Sequence, residues 1–107
     1  MEQAMEQPPE QPNPTIHQPV RLKIMAALKA LPSEARLEFV KLKEISGATE
    51  GNLGAHITTL ETAGYVSVEK DFVGKRPRTR VALTKPGRRA FEDYIAYLND
   101  ILNTRSA

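Results

Sequence analysis

Cysteine is absent from all 107 residues. That removes a disulfide framework, a thiolate metal site and a cysteine nucleophile, and it fits a reducing compartment. Histidine is scarce: His17 and His56 are the two present. Neither has a carboxylate three or four residues away that would suggest a helical proton relay, and two histidines with scattered acids form no recognisable metal-ligand cluster. Glycine-rich phosphate loops are missing too, because Gly47, Gly51 and Gly54 match neither dinucleotide nor P-loop spacing. Spacing alone does not exclude a Ser–His–Asp set, which assembles across a fold. The expectation is nevertheless a protein that is not an enzyme and carries no cofactor and no metal. No apolar run approaches the roughly 18 residues that span a bilayer. The N-terminus lacks the basic-then-apolar pattern of a secretory signal. A cytoplasmic protein with no membrane partner is expected.

What is present is an uneven charge. The formal net charge is +2. Residues 1–14, MEQAMEQPPEQPNP, hold Glu2, Glu6 and Glu10 and no base, for a sum of −3. Lys70 to Arg89 holds eight bases against the single acid Asp71, a net of +7. A block of that sign suits a polyanionic partner, although a solvated basic loop has the same composition. The Gln/Glu/Pro-rich stretch 1–14 shows no apolar period and buries too little to offset its ordering entropy, so it is expected to be disordered. Residues 15–107 are then one domain, and a chain this short gains from dimerisation.

Along that domain the apolar spacing predicts four helices and a hairpin. Pro19 suits the first turn of a helix, and Val20, Ile24, Ala27, Leu28 and Leu31 recur at helical spacing, with Leu22 and Met25 beside them. A short extended piece, Arg36 to Phe39, precedes a short helix over Val40 to Ile45 that ends at Gly47. Thr49 is a good N-cap for a third helix reaching about Ala63, where Gly64 fits the left-handed closing position. Its stripe is Leu53, Ile57 and Leu60, and its other faces carry short, neutral side chains. Tyr65 to Glu69 and Arg80 to Leu83 alternate as half-buried strands. Between them Asp71 to Thr79, with Gly74 and Pro77, reads as a long basic hairpin tip. Thr84 can cap a last helix over about residues 84–103, in which Phe91, Tyr94, Ile95, Leu98, Ile101 and Leu102 form a stripe. The stripe is longer than one small hairpin needs, so part of it is assigned to a dimer interface.

The fold class is therefore mainly α with a small β-hairpin: helix, short strand, helix, helix, basic hairpin, long helix, the order of a winged helix-turn-helix. The stretch from Thr49 to Ile95 resembles winged-helix transcriptional regulators of the MarR and ArsR kind, most of all the short stand-alone ones. The phrases LETAGYV (Leu60–Val66) and LTKPGR (Leu83–Arg88) carry the resemblance together, and HQPVRLKIMAALKAL (His17–Leu31) is similar to the first helix of that class. The resemblance implies homodimers on short inverted repeats of double-stranded DNA, repression of nearby promoters and release by a small-molecule effector. It also places base-reading positions at Thr49, Glu50, Asn52, Ala55, His56 and Thr59, and wing contacts at Lys75, Arg76 and Arg78. An effector cleft would be sought around Leu22, Met25, Tyr94 and Leu98.

One departure stands out. Residues 46–63 contain no Lys or Arg and, with Glu50 and Glu61, sum to −2. Without an arginine there, bidentate guanine reading by the third helix loses its usual agent, and phosphate affinity falls to the wing and the helix N-termini. A winged helix that binds protein, and a nonspecific architectural DNA binder, are the alternatives this neutral helix leaves open. Stacking of single-stranded RNA is disfavoured, because Phe39, Phe91 and Tyr94 sit at core positions rather than among bases.

Overall fold

The computed structural model describes residues 11–103. The elements in order are α1 (Pro19–Lys29), β1 (Arg36–Glu38), α2 (Phe39–Ser46), α3 (Glu50–Thr62), β2 (Val66–Val73), β3 (Arg76–Leu83) and α4 (Lys85–Leu102). The three strands form one antiparallel sheet in the order β1-β3-β2.

The helices begin and end on the residues that the chain supplies for it. Thr49 accepts a hydrogen bond from the Asn52 backbone N–H at 3.2 Å, and Thr84 accepts one from Gly87 at 2.9 Å. At the end of α3, Gly64 takes φ +84°. There its N–H reaches the Glu61 carbonyl and the Tyr65 N–H reaches that of Leu60. This is the paired closure that a left-handed glycine permits.

One core gathers Ile24, Met25 and Leu28 from α1, Leu42 from α2, Leu53, Ile57 and Leu60 from α3, Val66 and Val81 from the sheet, and Phe91 and Tyr94 from α4. The predicted stripe of α3 is buried in full. Helix α2 buries less of its apolar surface. Only Leu42 of its apolar set is enclosed, while Val40 and Ile45 are 64% and 42% exposed. Eight residues make barely two turns, so one row alone can face inward.

Two further corrections concern the ends. Residues 1–10 of the stretch expected to be disordered lie outside the described residues. Within 11–14, however, Asn13 is anchored: its amide donates to the Tyr65 hydroxyl at 2.9 Å and its side-chain oxygen accepts from the Thr15 N–H. Three residues later Ile16 is fully buried, an anchor with no periodic signal because it lies ahead of α1. The hairpin differs as well. Pairing runs out to Val73↔Arg76, so the strands are eight residues each and the expected long tip reduces to a turn at Gly74-Lys75. Gly74 holds φ +64° at the first turn position, which suits a two-residue hairpin. Pro77 is tolerated in β3 because β1 pairs only with residues 80–82, leaving that side of Pro77 without a strand.

Candidate nucleic-acid interface

Helix α3 turns a face away from the core that bears Glu50, Gly51, Asn52, Ala55, Thr58 and Thr59, all exposed. A Cβ at Gly51 or Gly54 would meet nothing within 4 Å. Their small size therefore serves no packing among the described residues, although each costs helix stability. The Asn52 carboxamide has no protein partner among the described residues. The Thr59 hydroxyl donates back to the Ala55 carbonyl at 3.1 Å, which leaves its lone pairs facing out.

His56 is fixed in a particular form. The Arg21 guanidinium lies 2.9 Å from its Nδ1. Arginine has donors only, so Nδ1 must be the acceptor and the ring proton must sit on Nε2. Burial, and then the Arg21 charge, hold the His56 pKa below its ordinary value of 6.5. Arg21 is held in turn by the Thr15 carbonyl, which accepts from its Nε. His56 thus has a local contact through Nδ1 while its Nε2–H stays available.

The hairpin stands beside α3. One cleft of about 420 Å³ lies between the tip and the α2 and α3 N-termini, lined by Glu38, Val40, Glu50, Val73 and Arg76 among others. A second, of about 470 Å³, separates Gly54, Thr58 and Glu61 of α3 from Val68 and Lys70 of β2. Lys75 and Arg76 are exposed at the tip and have no acidic partner among the described residues. Arg78 does not share their freedom. Its Nε and Nη2 grip both oxygens of Asp71 at 2.9 and 2.7 Å. That hydrogen-bonded pairing holds the Asp71 carboxyl below the usual carboxylate range. Arg80 reaches Glu69 at 2.9 Å and Asp71 at 3.3 Å, and Arg36 reaches Glu69 at 3.0 Å. The +7 block is therefore partly neutralised on its own sheet face. Lys85, Arg88 and Arg89 belong to the first turns of α4, at the other end of the hairpin.

The stripe on α4 divides. Phe91 and Tyr94 are 6% and 3% exposed and belong to their own subunit's core, with the Tyr94 hydroxyl joined to His17 at 2.8 Å. They are removed from the expected dimer face. Leu98 packs partly against the same core, whereas Ile95, Ile101 and Leu102 remain 37%, 49% and 70% exposed. Met25, expected to line the effector cleft, is fully enclosed and lines none. A cleft of about 580 Å³ lies instead between residues 11–15 and α4, under Tyr65, Tyr94 and Tyr97.

Three helices on a small sheet, a two-stranded wing beside the third helix and a closing helix define a winged helix-turn-helix protein. The chain belongs to the winged helix DNA-binding domain family, whose model matches residues 20–102. That is a family of DNA-binding domains, not of enzymes. The chain is 41% identical over 76 residues to an uncharacterized protein of Methanocaldococcus jannaschii, covering 71% of this chain and 79% of that one. The solved structure of a transcriptional regulator homologue from Pyrococcus horikoshii superposes with a TM-score of 0.76 at 29% identity, over 96% of each chain. A regulator described as of the MarR family, from Enterococcus faecalis, shares the fold at a TM-score of 0.67 and 19% identity, over 87% of this chain and 83% of that one. No helix among the described residues is long and apolar enough to cross a membrane.

Proposed function

We propose that the chain regulates transcription by binding specific double-stranded DNA sites as a homodimer, acting as a repressor. In this reading α3 enters the major groove. Thr49, Glu50, Asn52, Ala55, His56 and Thr59 lie at the base edges, while Lys75 and Arg76 of the wing hold phosphates or the minor groove. Residues 15–107 form the DNA-binding unit, and Ile95, Ile101 and Leu102 of α4, with the open side of Leu98, supply the dimer contact. A small-molecule effector would use the cleft under Tyr65 and Tyr97.

The observation that carries the reading is the outward face of α3. Its glycines have open space above them and its side chains are short, so a groove floor can approach closely beside the unpaired cations of the wing. The test is selection from a random duplex library by the full chain at about 0.15 M salt. An inverted repeat with half-sites about 10 base pairs apart is the expected outcome. Salt-sensitive retention without enrichment would replace sequence-specific regulation by architectural binding, a reading that the −2 charge of residues 46–63 favours. Retention of no duplex would end the DNA reading.

A further inference from the structure

We infer that Asp71 withholds the wing's arginines from DNA and so limits the protein's affinity for duplexes of any sequence. The inference rests on the DNA-binding reading above and concerns the same wing.

The strand register puts Asp71 opposite Arg78 and Glu69 opposite Arg80, with Glu38 of β1 opposite Arg80 on the other side. Residues two apart on a strand share a face. Arg36, Glu38, Glu69, Asp71, Arg76, Arg78 and Arg80 therefore lie on one side of the sheet. Two of the acids, Glu69 and Asp71, hold three arginines in a continuous chain from Arg36 to Arg78. Asp71 is the member nearest the tip and bridges both Arg78 and Arg80. One step further out, Arg76 faces Val73 and has no acid across from it. The chain of pairs thus stops where the contact with phosphates would begin, leaving Lys70, Lys75 and Arg76 as the hairpin's cations without an acidic partner among the described residues.

The energetics favour a limiter rather than a structural lock. A partly exposed bidentate pair contributes little to folding, yet it is strong enough to compete with a phosphate oxygen for the same guanidinium. The Asp71 carboxylate also repels any phosphate that approaches Arg78. Both effects are blind to base sequence, because phosphates carry none.

The experiment titrates the full chain with two duplexes, a selected site and an unrelated one, over a range of salt. Asp71→Asn keeps the shape and removes the charge. The expected result is several-fold tighter binding to both duplexes and a salt slope steeper by about 0.9, one added phosphate contact. In the natural background Arg78→Ala changes binding little, whereas in the Asp71→Asn background it cancels the gain, which assigns the gain to Arg78. Unchanged or weaker binding by a folded Asp71→Asn protein overturns the inference. So does a loss from Arg78→Ala in the natural background as large as that from Arg76→Ala. If the natural chain shows no salt-sensitive binding to either duplex, the DNA reading itself falls and the inference falls with it.

Discussion

Helix α3 and the β2–β3 hairpin lie side by side and are made of opposite materials. From Ser46 to Ala63 there is no Lys or Arg, and the exposed face is Glu50, glycine, alanine, threonine and one asparagine. The hairpin carries a row of arginines along one side, yet Arg78 and Arg80 of that row are paired with acids, and among the described residues Arg76 at the tip is the one left free on that side. The contrast separates two tasks. Phosphate contacts fix register and orientation, and base contacts specify. A helix with no cation has little means to grip a backbone, and a wing with two free tip cations has little means to read a sequence. Neither region is expected to suffice alone.

Both regions hang from one joint, and breaking it should have the largest effect. Tyr65 links the end of α3 to the start of β2. Its carbonyl accepts from the Thr84 N–H at 3.0 Å and lies against Gly87, where an added Cβ would fall 2.0 Å from that oxygen. Backbone cannot swing aside as a side-chain end can. Gly87→Ala should destabilise the fold by about 3 kcal/mol, the upper range for overpacking, read as a lowered midpoint in chemical denaturation. A midpoint within error of the natural chain's would mean that this joint is looser than the geometry requires.

The next two predictions set the regions against each other. Replacing Lys75 and Arg76 together by alanine should flatten the salt slope by about 1.8, two phosphates, and weaken binding to all duplexes by one factor. Asn52→Ala should leave the slope unchanged and reduce discrimination between the selected site and single-base variants, by about 1–3 kcal/mol at one position if the carboxamide makes a bidentate contact. Should the wing variant change sequence preference, or Asn52→Ala change the salt slope, the separation of tasks is wrong. The outcome needs only equilibrium binding at several salt concentrations.

Much of this arrangement was legible in the sequence, and the misses have physical causes. The core stripe of α3, its Thr49 cap and its Gly64 closure follow from local spacing and backbone preference. The hairpin was cut short because Asp71 and Arg78 read as loop residues one at a time, and only the cross-strand register shows that they complete each other as a strand pair. The same register hides Arg78, whose pairing partner is seven residues away. On α4 the periodicity was right, but a stripe does not say which of its residues face home. Phe91 and Tyr94 are claimed by the core and by His17. Ile16 gave no signal because it joins the core from ahead of α1, and Arg21 because its contact with His56 spans 35 residues rather than a period. Gly87 did stand in the LTKPGR phrase, and the Tyr65 carbonyl against it supplies the reason for a glycine there.

The smallest expected effect concerns the one ring on α3 that can donate. His56 is held neutral by burial first and by Arg21 second. Its folded pKa therefore lies below that of the unfolded chain. As pH drops below about 6.5 the unfolded chain takes up a proton that the folded one resists, so stability falls with pH from there. Arg21→Met keeps much of the bulk and removes both the charge and the donor. The His56 titration, followed by NMR, should then move upward toward its ordinary value without reaching it, because the burial remains. The acid-side loss of stability should shrink in step. With Nδ1 released, both tautomers become available, and the fixed Nε2–H that α3 presents to a base edge or phosphate is no longer assured. Binding of the selected site should weaken more than binding of an unrelated duplex, since only the former uses the oriented ring. A titration that stays where it was would show that Arg21 does not set the charge state of His56, and the fixed donor would then have to be dropped from the description of α3.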